Sequence, residues 1–184
     1  MSKHLIITMD PGAHKVGLCV GTLEDGPLWA TTLDTKSKLK GYALAEETAR
    51  KAGEAIRAAI LECAGSIGPF LKAGTTIVIE HMQADSRTVG AVVGDILACQ
   101  ATGGAFLTFV SHAMQSTVFD GGIHGGSVLS PTPSEWVKGM PKDVMRRQLA
   151  KEYPHLGLDT AGHDTVAAVG LFRWAASGPA RFGR

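Results

Sequence analysis

The first 35 residues constrain the fold most. LIITMD (5 to 10), KVGLCVGT (15 to 22) and PLWATTLDT (27 to 35) are short runs rich in β-branched and apolar residues, separated by the turn signals PGAH and EDG. Connections this short leave neighbouring strands little choice but to pair antiparallel, so the segment reads as a three-stranded meander. Its first strand ends on an acid, Asp10, followed at once by Pro-Gly. A carboxylate at the end of a buried strand either serves the turn, where Asp is common, or holds something at the sheet edge.

From Ala43 to Cys63 the period changes. Leu44, Ala45, Thr48, Ala52, Ile56, Ala59 and Ile60 recur at helical spacing, with Glu46, Glu47, Arg50, Lys51, Glu54 and Arg57 on the opposite face, which predicts an amphipathic helix. TTIVIEH (75 to 81) predicts a fourth strand, again closing on an acid, Glu80. A glycine-weakened helix is expected from about Thr88 to Gly103, and FLTFV (106 to 110) reads as a fifth strand. Residues 111 to 134, with DGGIHGGS and SPTPS, read as a long loop or an excursion over the surface. KDVMRRQLAKEY after Pro141 and HDTVAAVGLFRWAA (163 to 176) predict two closing helices. The expected fold is α/β, a mixed five-stranded sheet of antiparallel meander plus parallel strands with helices on both faces. Right-handed crossovers place the fourth strand parallel to the first and beside it.

The length, 184 residues, suits a single domain, and 45% apolar against 19% charged residues suits a globular one. No apolar run reaches the roughly 18 residues of a membrane span, and MSKHLIITMDPG lacks the features of a signal peptide, so a cytoplasmic protein with no membrane partner is expected. Cys19, Cys63 and Cys99 are far apart, as suits reduced core thiols rather than a zinc site.

Ligands of open α/β sheets gather at the carboxyl ends of parallel strands. If strands one and four are neighbours, Asp10 and Glu80 lie about 4.8 Å apart across the ladder, and two such charges call for a cation or a shared proton. Oxygen ligands without a nearby Cys or paired His favour Mg2+ or Mn2+. A site with two ions, which bind the attacking water and the leaving oxygen of a phosphodiester, needs a third acid. Asp164, in AGHDTVAAVG, is the best placed, because small residues let its helix approach the strand ends; as an alternative it serves as a helix N-cap. His163 is a candidate ligand or general base, and Asp159 a further candidate for a fourth ligand. Lys138, Lys142, Arg146, Arg147 and Lys151 form the densest basic run, suited to phosphates or to a solvated helix face. Trp136 beside it is placed either to stack on a base or to pack in the core. Lys36, Lys38 and Lys40 make a second, smaller basic group.

Together these residues resemble the RuvC-like Holliday junction resolvases of the ribonuclease H-like superfamily, in particular the versions carried by bacteriophages. MDPGAHKVGLCV is similar to the first family motif, IVIEH to the second with Glu80 as its acid, and HDTVAAVGL to the third. PSEWVKGMPKDVMRR is similar to a stretch that precedes the last helices of phage relatives. The third motif usually offers two acids separated by two residues, whereas here only Asp164 stands, with Ala161 and Ala167 at the partner positions. The resemblance implies a metal-dependent endonuclease that resolves four-way or branched DNA by phosphodiester hydrolysis, with Asp10, Glu80 and Asp164 as metal ligands and catalytic residues together with His163. The two-fold symmetry of a junction implies a homodimer, for which the weakly polar helix from about Thr88 to Gly103 offers one surface. The competing functions are a YqgF-type nuclease acting on RNA and a non-catalytic DNA-binding module of the same fold.

Overall fold

The computed structural model describes residues 3 to 12, 14 to 63, 74 to 81, 93 to 116 and 127 to 177, with side chains in the fourth segment described for 97 to 110. A five-stranded sheet runs in the order β3-β2-β1-β4-β5. The meander is β1 (Leu5–Asp10), β2 (Lys15–Thr22) and β3 (Gly26–Asp34), paired antiparallel as the short turns require. β4 (Thr75–Ile79) lies parallel to β1 with Met9 beside Ile79, and β5 (Ser127–Leu129) lies parallel to β4. The helices are α1 (Gly41–Glu62), α2 (Val93–Ser116), the single-turn α3 (Pro133–Trp136), α4 (Lys142–Glu152) and α5 (His163–Ser177).

Two apolar layers sandwich the sheet, and the strand period sorts residues between them. Leu5, Ile7 and Met9 of β1 join Val16, Leu18 and Val20 of β2 under α1 and α2. Ile6 and Cys19 join Val78 under α4 and α5, burying Val169, Leu171 and Phe172. Asp10 shares the parity of Ile6, and Glu80 that of Val78, so both acids fall on the α5 side of the sheet.

The expected fifth strand, FLTFV, is instead part of α2. Phe106 and Val110, one helical turn apart, are both buried against α1 and the sheet, while Leu107 and Phe109 are partly buried beside them. A helix buried on most sides loses the amphipathic period, and a five-residue apolar run cannot then be told from a strand. The fifth strand lies in the Ser127–Leu129 stretch of the segment expected to be loop; three residues are too few to display a period. Residues 88 to 92 of the second expected helix and 117 to 126 of the Gly-rich stretch lie outside the described residues. Within 93 to 103, Ala98, Cys99 and Thr102 are buried and Leu97 is exposed, so much of this helix's low polarity belongs to the core. Cys19, Cys63 and Cys99 are free thiols. No described helix is long and apolar enough to cross a membrane.

α5 is seated along β2 by small residues. On its α5 face β2 presents Gly17, Cys19 and Gly21; a Cβ on Gly17 would stand 1.9 Å from the Asp164 carbonyl oxygen, and one on Gly21 would stand 2.8 Å from the Phe172 ring. The two spans match. Four residues of strand at about 3.3 Å and eight of helix at about 1.5 Å both cover roughly 12 to 13 Å. Hydrogen bonds complete the seat: Thr8 Oγ1 donates to the Ala168 carbonyl at 2.7 Å, and the Thr165 amide donates to Thr32 Oγ1 at 3.1 Å. Thr32 therefore caps the first turn of α5 from a different strand.

Gly17→Ala should accordingly be among the most damaging single changes in the protein. Its methyl meets backbone, which cannot rotate away, so the cost should reach or exceed the upper end of overpacking, about 3 kcal/mol. At this chain length that corresponds to a fall in Tm of about 10 °C, measurable by thermal unfolding. A Tm within about 2 °C of the parent would show that α5 does not depend on this contact.

Candidate functional site

Asp10 is the last residue of β1 and Glu80 the first after β4, where the Glu80 amide continues the parallel ladder by donating to the Met9 carbonyl at 3.1 Å. Their carboxyls meet within hydrogen-bonding reach. Asp164, in the first turn of α5, is brought to the same point by the contact of its backbone with Gly17, the residue paired with Asp10. Ligand atoms of Asp10, His163 and Asp164 all lie within 4.8 Å of one another, and His163 Nδ1 stands 3.7 Å from Asp164 Oδ1. Glu80 is outside that trio but touches it through Asp10; Asp159 is exposed and outside the group.

The cluster lines a cleft of about 430 Å³ walled by Pro11, Gly12, Lys15, Trp136, Val137, Lys142 and Met145. Its electrostatics are those of crowded acids. Burial first, then the hydrogen bond to Glu80, then the charges of Glu80 and Asp164 hold the Asp10 carboxyl well above the usual carboxylate range, opposed by the Lys142 ammonium. Acids arranged in this way, three carboxylates and an imidazole with two lysines on the rim, suit a hard divalent cation.

Glu80 is held from the far side. The Trp136 indole N–H donates to Glu80 Oε1 at 2.9 Å. α3 is a purpose-built mount for that indole, with Pro133 at its start and a capping box between Thr132 and Glu135. The ring packs on Gly170 of α5, where a Cβ would come within 2.7 Å of Trp136 Cζ3. The half-buried Trp136 ring packs on α5 while also lining the cleft, and it makes a polar contact that its sequence context does not announce.

The basic residues are not one continuous surface. Lys142, the first residue of α4, lines the cleft; Arg146 is half-buried one turn on; and Arg147 is exposed and paired with Asp143 at 3.1 Å. Lys138 lies beyond Trp136 in a left-handed turn (φ 49°), lining a separate groove with Arg173 and Trp174. Lys15 also lines the cleft, a place that its position after PGAH in the sequence does not signal. Nothing in the sequence marks Thr32.

No protein-family model matches the sequence, and no curated protein matches it. Solved structures do. The fold is similar to that of T. thermophilus RuvC, solved in complex with a Holliday junction substrate, with a TM-score of 0.54 and 15% identity over 92% of this chain and 90% of that one. It is similar also to the yeast mitochondrial Holliday junction resolvase, with a TM-score of 0.51 and 10% identity over 93% of this chain and 80% of that one. This chain therefore has the RuvC-type, ribonuclease H-like fold that its sequence motifs suggest.

Two outcomes are expected from the site geometry. A carboxyl whose pKa is raised on folding contributes stability that is complete below its unfolded value, near 3.8 for Asp10, and is lost as the pH rises through the folded value. In chelator, Asp10→Asn should therefore gain stability relative to the parent as the pH is raised from about 4 to 8, by about 2 to 4 °C in Tm for each kcal/mol relieved. A Tm difference independent of pH would remove the crowding argument. Trp136→Phe keeps a ring against Gly170 but deletes the donor to Glu80. Where a carboxylate binds metal, the loss of such a supporting hydrogen bond costs about 10- to 100-fold in metal affinity or activity, which is the fall expected here with Glu80 as a ligand. Titration of Mn2+ into both proteins, with unfolding curves as the control on packing, measures it.

Proposed function

We propose that this chain is a metal-dependent endonuclease that hydrolyses phosphodiester bonds in branched DNA, four-way junctions above all. The convergence of Asp10, Glu80 and Asp164 with His163 at the carboxyl edge of the sheet carries this reading. The motif resemblance and the fold shared with two junction resolvases support it. Asp10, Glu80 and Asp164 would hold Mg2+ or Mn2+, two ions in the full site, with His163 as a further ligand in place of the acid missing from the third motif. Such ions supply charge stabilisation to a phosphodiester undergoing in-line attack by water.

The protein's own groups have distinct tasks in this scheme. Asp10 accepts the greatest electrostatic strain, which a bound cation relieves. Glu80 is kept in one orientation by Trp136 and so presents its second oxygen to Asp10 or to a cation. Lys15 and Lys142 stand on the rim, where they would draw a phosphate toward the acids and offset the repulsion between them. Arg146 and Arg147, farther along α4, and Lys138, in the groove beside Trp136, would add phosphate contacts at separate places. Two paired cuts in a symmetric junction require a homodimer, and the exposed Leu97 on α2 is the described apolar residue best suited to its interface.

The decisive test incubates the purified protein with a labelled four-way junction and a matched linear duplex, with and without Mg2+. Cleavage confined to the junction and to Mg2+ is expected. Asp10→Asn, Glu80→Gln and Asp164→Asn should each lower the rate by 10³-fold or so or more, on the scale of one to a few charge-stabilising contacts, while junction binding persists in Ca2+. Binding without any cleavage by the parent would make the chain a non-catalytic DNA-binding module. Preference for structured RNA would favour the YqgF-type alternative.

A further inference from the structure

The link between β3 and α1 is a short, pinned segment whose exposed side chains are three lysines, a leucine and a tyrosine. Thr35 is buried, and its hydroxyl bonds that of Thr48 at 2.9 Å. The Thr35 carbonyl accepts from Lys51 Nζ at 3.1 Å. The Ser37 hydroxyl donates to Glu47, which also pairs with Lys51 at 3.0 Å, and the Leu39 amide donates back to Ser37 Oγ at 3.2 Å. Thr35 and Ser37 are thus tied to α1, and Leu39 is tied to Ser37. Between the ties, Lys36, Lys38 and Lys40 are exposed, and Leu39 and Tyr42 are 46% and 71% exposed.

None of these three lysines has an ion pair or side-chain hydrogen bond among the described residues. The neighbouring acids are otherwise engaged: Asp34 accepts from the Lys36 amide at 3.1 Å and stands 3.8 Å from Lys15, and Glu47 is held by Ser37 and Lys51. Glu46, one turn into α1, is the nearest exposed acid without such a tie. Lys36 is also, among the described residues, one of two non-glycine residues in the left-handed region, φ 48°. That conformation is uncommon for a side chain of this size.

The segment leaves the sheet at the edge that bears the acids. β3 runs parallel to β1, and with Thr32 level with Asp10 through Gly17, Asp34 ends β3 two residues farther on the same side, two strands across, about 12 Å from Asp10. Lys15, on the rim of the cleft, is the register partner of Asp34. A polyanion lying over the cleft along Lys142 and Lys15 would next meet Lys36, Lys38 and Lys40.

We propose that Lys36 to Tyr42 is a second nucleic-acid contact surface, whose three lysines bind the phosphates of a DNA arm leaving the cleft and whose Tyr42 stacks on an exposed base. The inference rests on the reading of the chain as a DNA nuclease and specifies where a second arm is gripped. Lysines separated by pinned residues are spread over a backbone that loses little further freedom on binding, which favours affinity. An aromatic ring beside them adds sequence-tolerant stacking on a base.

The test compares the parent with a Lys36→Ala, Lys38→Ala, Lys40→Ala triple variant and with Tyr42→Ala and Tyr42→Phe. Binding to a four-way DNA junction is measured in Ca2+ over a range of salt. Each phosphate contact contributes about 0.9 to the slope of log K against log salt, so the triple variant should lose roughly 2 to 3 from that slope and about tenfold or more in affinity near 0.1 M salt. The cleavage rate at saturating junction in Mg2+ should stay within about twofold of the parent, because no group in the acid cluster is touched. Tyr42→Ala should abolish the fluorescence change of a 2-aminopurine placed at the branch, and Tyr42→Phe should retain it. Parental affinity and slope in the triple variant would overturn the proposal and point to an acidic protein partner for this face. A parent protein that neither binds nor cuts the junction would instead overturn the proposed function itself.

Discussion

Everything at the sheet edge depends on how closely α5 lies on β2. Gly17 and Gly21 leave room for helix backbone and for Phe172 where any side chain would intrude, and the hydrogen bonds from Thr8 and to Thr32 fix the helix along its axis. Because Gly17 is also the residue paired with Asp10, one contact determines the separation of Asp164 from Asp10. A helix packed at an ordinary distance on a sheet, about 10 Å, would leave those carboxyls unable to share a ligand.

The arrangement works against the stability of the fold that carries it. Asp10 is pressed against Glu80 and faces Asp164, and burial deprives the Asp10 carboxyl of the water that would screen this charge. The conflict is lessened by Lys142 on the rim and by the indole of Trp136, which satisfies one Glu80 oxygen without adding charge. Among the described residues no buried side-chain polar atom lacks a hydrogen-bond partner, so the strain is electrostatic and not one of unmet hydrogen bonds. Sites in which like charges are forced together are where perturbed titration and function tend to coincide.

The motif resemblance and the shared fold agree, yet the site is not a copy of the family pattern. Where the third motif usually carries two acids, this chain has Asp164 and, beside it, His163, whose Nδ1 is close to the Asp164 carboxylate. An imidazole accepts a borderline metal more readily than a carboxylate does and brings no negative charge. At 15% and 10% identity to the two junction resolvases, what is shared is the fold.

Local chemistry was enough to read much of this from the chain. Short Pro-Gly and Asp-Gly turns dictate the antiparallel meander, the helical period of residues 43 to 63 identifies α1, and an acid closing each of two apolar strands marks the sheet edge. Those features depend on neighbours in sequence. FLTFV did not reveal its helix, because a segment buried on most sides carries no period, and Ser127–Leu129 did not reveal its strand, because pairing with β4 alone defines it. The indole bond to Glu80 spans 56 residues, and the cap that Thr32 provides to Thr165 spans 133. Which charges meet, which tryptophan face is free and which lysines stand on the cleft rim were decided by packing, since only the folded chain brings such distant groups within the few ångströms over which hydrogen bonds and desolvation act.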